Sequence, residues 1–213
     1  MQWIQQLFSF LFPQFCVGCR SMGERLCSSC LHSIPIHSDP FVKEPGWALD
    51  GLFVVAPYTK KSLLQTCIKT MKYRHSPNLA NQLGEWMGLR FPLAQFRDFI
   101  LVPVPLHPKR KKERGYNQAH CLAEGVATVL SLPIEELLQR KFYTLPQAQL
   151  SREDRLKNLL NSFSLSQNSN TLNKKIILVD DVCSTGATLN ECAKVLKSTD
   201  AKTVWGLVLA RGA

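Results

Sequence analysis

The chain has 213 residues, 45% of them apolar, with 26 Lys and Arg against 16 acidic residues and a formal net charge of +10. That length and apolar content exclude global disorder and provide for one domain of ordinary size plus a small attachment. The positive surplus permits phosphate-rich partners (nucleic acid, anionic membrane or a phosphorylated small molecule) without choosing among them.

The chain opens with MQWIQQLFSFLFPQF. Ile4, Leu7, Phe8 and Leu11 follow the i, i+3, i+4, i+7 spacing, which predicts a short amphipathic helix ending near Pro13. The stretch has no basic leader and is too short to span a bilayer. Its apolar face either packs on the protein itself or makes a peripheral membrane or partner contact through residues 3–12. Trp3 and Phe12 suit such an interface, whereas the lack of nearby Lys or Arg does not favour membrane.

Cys16, Cys19, Cys27 and Cys30 fall within 15 residues as C-x2-C-x7-C-x2-C, while Cys67, Cys121, Cys183 and Cys192 are scattered. A disulfide scaffold would be shorter and more evenly cross-linked, so reduced thiols and a cytosolic setting are expected. Each C-x2-C pair can present two thiolates on a tight turn, and two pairs complete the tetrahedral set that Zn2+ prefers. An iron–sulfur cluster is the chemical competitor. Four thiolates leave no open position, so the zinc is expected to be structural, with Gly23 at the hairpin between the pairs. Residues 1–46 then read as helix, cysteine module and a Pro-containing linker from His37 to Gly46, and 47–213 as a second unit.

That second unit alternates strands and helices. Leu52–Tyr58 reads as a strand, followed by a helix with Leu64, Cys67, Ile68 and Met71 on its apolar face. Lys61, Gln65, Lys69 and Lys72 lie on another face and form a basic stripe. A helix over about 77–90 precedes the continuous apolar run FILVPVP at 99–105, which reads as a buried strand of the parallel kind. The basic loop LHPKRKKERGYNQ comes next, then a helix with Leu122, Ala123, Val126 and Leu130 inward. Ser151 with Asp154 resembles a capping box and predicts a helix starting near Arg152. A polar loop at 166–173, a strand at 176–179, a helix with Leu189, Cys192, Ala193 and Leu196 inward, and a strand from Thr203 to Leu209 complete the chain. The alternation predicts a doubly wound, mostly parallel α/β sheet.

Such sheets bind ligands beyond the carboxyl ends of their strands. Asp180 and Asp181 stand where the 176–179 strand ends, and Ser184, Thr185, Gly186, Ala187 and Thr188 lead into a helix N-terminus. Free N–H groups, hydroxyls and the helix dipole make that turn a phosphate site, although it is not a Walker loop. Paired carboxylates beside it suit adjacent ribose hydroxyls, each of which can donate to a carboxylate.

The segment IILVDDVCSTGATL (176–189) resembles the phosphoribosyl-pyrophosphate (PRPP) motif of type I phosphoribosyltransferases. The resemblance implies that Asp180 and Asp181 hold the ribose hydroxyls and that Ser184 to Thr188 hold the 5′-phosphate. Lys109 and Arg110, with Arg114, would meet the pyrophosphate, and Mg2+ would be held mainly by ligand oxygens. With the paired cysteines ahead, and with RGYNQ (114–118) and QAQLSREDRLKNLLNSF (147–163), most of the chain is similar to the ComF family. That family joins a zinc module to a phosphoribosyltransferase domain. It is associated with natural transformation, on the cytosolic side of the inner membrane where single-stranded DNA emerges, in some lineages with a ComF-type helicase. The resemblance implies a DNA-handling role for Lys60, Lys61, Lys69, Lys72, Arg74, Lys111 and Lys112, with Tyr58, Tyr73 and Tyr116 as stacking partners. The alternative is a working phosphoribosyltransferase with a small nucleophile such as a nucleobase as acceptor. The end at Ala213 implies no C-terminal hood, leaving the zinc module or the 139–173 region for that task.

Overall fold

The computed structural model describes residues 14–141, 162–167 and 169–212. The helices expected near residues 3–12 and from Arg152 lie outside them.

After the cysteine module, with its short helix α1 (Ser28–His32), come β1 (Phe41–Val42), β2 (Gly51–Pro57), α2 (Leu63–Tyr73), α3 (Pro77–Gly88) and β3 (Phe99–Pro103). Then follow α4 (Pro108–Arg114), α5 (Gln118–Leu130), β4 (Leu138–Arg140), β5 (Phe163–Leu165), β6 (Lys175–Cys183), α6 (Ala187–Lys197) and β7 (Thr203–Arg211). The main sheet has the order β1-β2-β7-β6-β3. Its four long strands run parallel and β1 is antiparallel at the edge. β4 and β5 form a separate antiparallel pair.

The helices begin where local chemistry satisfies their first N–H groups. Ser62 accepts from Gln65 N–H at 3.1 Å to open α2, and Asn117 accepts from Ala119 N–H at 3.1 Å to open α5. Helix α3 instead begins with Pro77, whose fixed φ suits a first turn. The strands are apolar along nearly their whole length because helices cover both faces of the sheet. Ile177 and Val179 face the α2, α3 and α5 layer, whereas Ile176 and Leu178 face α6 and the β4–β5 pair. Cys16, Leu26 and Ile34 of the cysteine module are buried in the same cluster as Leu64, Ile68 and Met71 of α2.

Three local expectations change. The strand read as ending at Val179 runs on to Cys183, because its pairing with β7 continues, so Asp180 and Asp181 lie within it. The stretch 37–46, read as a linker, contains β1, where Phe41 stands edge-on to Phe53 and Trp205 at centroid distances of 5.2 and 6.0 Å. A two-residue strand carries no periodic signal, and only its partners define it. The basic loop contains helix α4. His107 accepts from Lys109 N–H at 3.2 Å, Pro108 occupies the first turn, and Gly115 ends the helix with φ +82°.

Candidate phosphoribosyl site

The alternation of β6 divides its two aspartates. Asp181 continues the Ile177–Val179 side and turns toward α2, and Asp180 continues the Ile176–Leu178 side and turns toward α6. Asp181 is buried, at 3% exposure, and its Oδ2 lies 2.9 Å from Lys72 Nζ. Burial works against the Lys72 ammonium, but the Asp181 carboxylate outweighs it and raises the lysine pKa. Asp180 Oδ1 accepts the Asp181 N–H at 2.8 Å. Burial pushes the Asp180 carboxyl up to about 7, and the Asp181 charge pushes the same way.

Both aspartates open onto a cavity of about 210 Å³ also lined by Lys72, Arg110, Arg114 and Arg140. Arg114 donates to Gln118 Oε1 at the start of α5. Arg140 arrives from the β4–β5 pair, with its guanidinium 5.2 Å from the Phe163 ring centroid. Burial lowers its pKa, and the like charge of Arg110 adds to that. Lys109, by contrast, is on the exposed side of α4. The cavity thus gathers four cations around a carboxylate pair, a set that suits a ligand carrying both sugar hydroxyls and phosphates.

Thr188 and Asp180 also border a small hollow inside the turn 183–189, so the turn and the cavity share part of their walls. Gly186 occupies the N-cap of α6 with φ +76°, a conformation natural to glycine, and Thr185 Oγ1 accepts from Ala187 N–H at 3.4 Å. The Trp47 indole packs directly against Gly186. On the other side of the turn, Ser184 and Thr185 border a wider hollow of about 970 Å³ that also meets Trp47, Tyr58, Glu44 and Arg211.

The magnesium expectation can be tested against these donors. Asp181 Oδ2 faces an ammonium and Asp180 Oδ1 a backbone N–H, and among the described residues no third carboxylate lines the cavity. The side chains therefore do not fit an ion held by the protein, and any Mg2+ would rely on ligand oxygens.

The basic residues expected along the surface separate. Lys60, Lys61, Lys69, Arg74, Lys111 and Lys112 are exposed, as is Tyr73 at 78%. Lys72 turns into the cavity instead. Tyr116, expected as a stacking partner, is buried, and its hydroxyl donates to the Met71 carbonyl. A buried phenol needs such an acceptor, and the end of α2 supplies it. Trp47 and Arg140 were not singled out in the sequence. Each reaches the site through pairings that are distant along the chain.

The four clustered cysteines place their sulfurs within 4.8 Å of one another, the only such metal-ligating group among the described residues. Cys19 Sγ lies 3.6 Å from Cys27 Sγ, and Cys27 N–H donates to Cys16 Sγ at 3.3 Å. Interaction with Cys27 pushes the Cys30 thiol up to about 12, and a cation among the four sulfurs would favour their thiolate forms instead. The cluster fits a structural zinc site closed by four sulfurs. Among the described residues no helix is long and apolar enough to cross a membrane.

A mostly parallel sheet with an acid pair in β6 and a glycine turn leading from it into α6 is that of a protein of the type I phosphoribosyltransferase fold. A family model for the phosphoribosyl transferase domain matches residues 117–213. Competence protein F of Haemophilus influenzae is 31% identical over 210 residues, which are 92% of this chain and 90% of that one. DNA utilization protein YhgH of Escherichia coli O157:H7 is 30% identical over 175 residues, 79% of this chain and 74% of the relative. The solved structure of an allosteric regulatory enzyme of purine biosynthesis superposes with a TM-score of 0.46 at 17% identity, covering 67% of this chain and 30% of the other. The chain belongs to the ComF family of competence proteins.

Proposed function

We propose that this chain serves natural transformation by binding PRPP or a related phosphoribosyl ligand at the end of β6 while handling incoming single-stranded DNA on the cytosolic side of the inner membrane. The observation that carries the ligand is the adjacency of the acid pair, the 184–188 turn and the cation-lined cavity, which share Asp180 and Thr188 as lining. Asp180 and Asp181 take the ribose hydroxyls, Ser184 to Thr188 take the 5′-phosphate, and Arg110 and Arg114 take the pyrophosphate, with Lys109 at the rim. Magnesium travels on the ligand's own oxygens.

The DNA role is supported by the competence and DNA-utilization names of the relatives and by exposed charge. Helices α2 and α4 meet where His75 Nδ1 contacts the Arg114 carbonyl at 3.0 Å. Lys61, Lys69, Arg74, Lys111 and Lys112 on and beside these helices suit a phosphate backbone, and Tyr73 suits a base. A ComF-type helicase is the protein partner this role calls for, and residues 3–12 are the segment for peripheral membrane contact. Calorimetry tests the ligand: Asp180→Ala with Asp181→Ala should abolish PRPP binding, and retained binding would refute the ribose assignment. For DNA, neutralising Lys61, Lys69 and Arg74 should flatten the salt dependence of single-strand affinity, and an unchanged slope would remove that surface from the proposal.

A second reading, a working phosphoribosyltransferase, is favoured by the hollow of about 970 Å³ beside Ser184 and Thr185, which has room for an acceptor. Pyrophosphate release from PRPP in the presence of a nucleobase would select it.

A further inference from the structure

Lys72 is held where it is by more than its own ion pair. The end of α2 is tied to the 114–116 segment twice, through the Tyr116 hydroxyl on the Met71 carbonyl and through the His75 contact to the Arg114 carbonyl at 3.0 Å. The His75 and Tyr116 rings also meet edge-on at 5.6 Å. These contacts flank Lys72 on both sides in the chain, so its ammonium is delivered to Asp181 by fixed backbone. Asp181 Oδ2 is buried without a conventional hydrogen bond, and Lys72 Nζ at 2.9 Å is its counter-charge. Lys72 remains a quarter exposed and lines the cavity, so it can face a ligand as well as the carboxylate. It also lies outside the segment 117–213 that the phosphoribosyl transferase model matches.

We propose that Lys72 is a built-in cation of this site, supplying from the protein the positive charge that a divalent ion would otherwise bring between the acid pair and the diphosphate. This rests on the phosphoribosyl reading above. Four protein cations, Lys72, Arg110, Arg114 and Arg140, line the cavity against two carboxylates, so an anionic diphosphate meets a positive surface before any metal is added. Binding of PRPP is then nearly independent of Mg2+ in the native chain and becomes dependent on it when the ammonium is removed.

The test is calorimetry of PRPP on the zinc-loaded full chain in resin-stripped buffer, with and without millimolar MgCl2, with zinc retention and melting temperature followed throughout. Wild type should bind with less than about threefold change on adding Mg2+. Lys72→Met should lose about thirtyfold without Mg2+, the scale of truncating one partner of a buried charge pair. It should recover most of that when Mg2+ is added, and Lys72→Arg should stay nearly independent of the ion. Wild-type binding that appears only with Mg2+ would overturn the inference and leave the phosphoribosyl reading standing. Binding absent under both conditions would overturn both. A Lys72→Met variant that binds like wild type in stripped buffer, or that is not rescued by Mg2+, would reduce Lys72 to a bystander or a packing residue.

Discussion

Substituting Gly186 by Ala should damage the 184–188 turn through two separable effects. The residue has φ +76°, and an L-side chain in the left-handed region costs about 1–2 kcal/mol. The new Cβ would also press on the Trp47 ring, 2.6 Å from Cη2 and 2.8 Å from Cε2, well inside contact distance. The indole has little freedom to yield. The Arg211 guanidinium lies 5.7 Å over it and is held by Glu44, and the adjacent Ala48 N–H donates to Asn190 Oδ1 at 2.6 Å. Overpacking of this kind costs about 1–3 kcal/mol. Together Gly186→Ala should destabilise by about 2–5 kcal/mol, a large share of the net stability of a single domain. Urea denaturation measures the loss, and calorimetry of PRPP reports whether the turn still presents its N–H groups. The double variant with Trp47→Ala removes the clash and leaves the backbone strain, so the two substitutions should couple by about 1–3 kcal/mol in a double-mutant cycle. A loss below about 0.5 kcal/mol with PRPP affinity unchanged would refute the argument.

Two further outcomes are expected. Cys27→Ser should lower zinc content measured by native mass spectrometry and loosen the 14–34 region in hydrogen exchange, and full zinc occupancy in that variant would overturn the four-sulfur assignment. Asp180 should make stability fall with rising pH: its folded pKa of about 7 lies above the unfolded value of 3.8, so between about pH 4 and 7 the native chain holds a proton that the unfolded chain has released. The loss is on the order of a few kcal/mol across that window. Asp180→Asn should flatten the profile and gain on wild type at pH 8, and matching urea-denaturation profiles from pH 4 to 8 would contradict this.

Legibility in the sequence followed the range of the interactions. The four parallel strands are continuous apolar runs because both faces are covered, and that is a local signal. The acid pair and the 184–188 turn were readable for the same reason, since strand, turn and helix start occupy consecutive residues, although β6 runs on through both aspartates to Cys183. The cysteine spacing carried its own geometry. Helix α4 had legible ends, Pro108 and Gly115, but a run of like charge between them reads as solvated loop. The role of Lys72 was not legible, because helical spacing puts it in line with Lys61 and Lys69. Only the tethers from Tyr116 and His75 to the end of α2 aim it at Asp181. Tyr116 was misjudged for the converse reason: its neighbours are charged, but its hydroxyl has an inward acceptor. Trp47 sits in a stretch without period and becomes informative only when the sheet brings it against Gly186.

These long-range contacts join the cysteine module to the phosphoribosyl site by a physical route. Cys16, Leu26 and Ile34 share a core with Leu64, Ile68 and Met71 of α2, and Gln82 donates from α3 to the Leu26 carbonyl at 2.6 Å. The last turn of α2 then carries Lys72 to Asp181. The cysteine module therefore packs against the helix that carries Lys72 to the cavity. Since packed interiors transmit displacement rather than absorb it, loosening the cysteine module should shift α2 and weaken the Lys72–Asp181 contact without touching the 184–188 turn. The acid pair and the 184–188 turn lie within the segment matched by the family model, but three of the four cations lining the cavity, Lys72, Arg110 and Arg114, come from outside it. Helix α2 thus packs against the cysteine module and reaches the candidate site through Lys72.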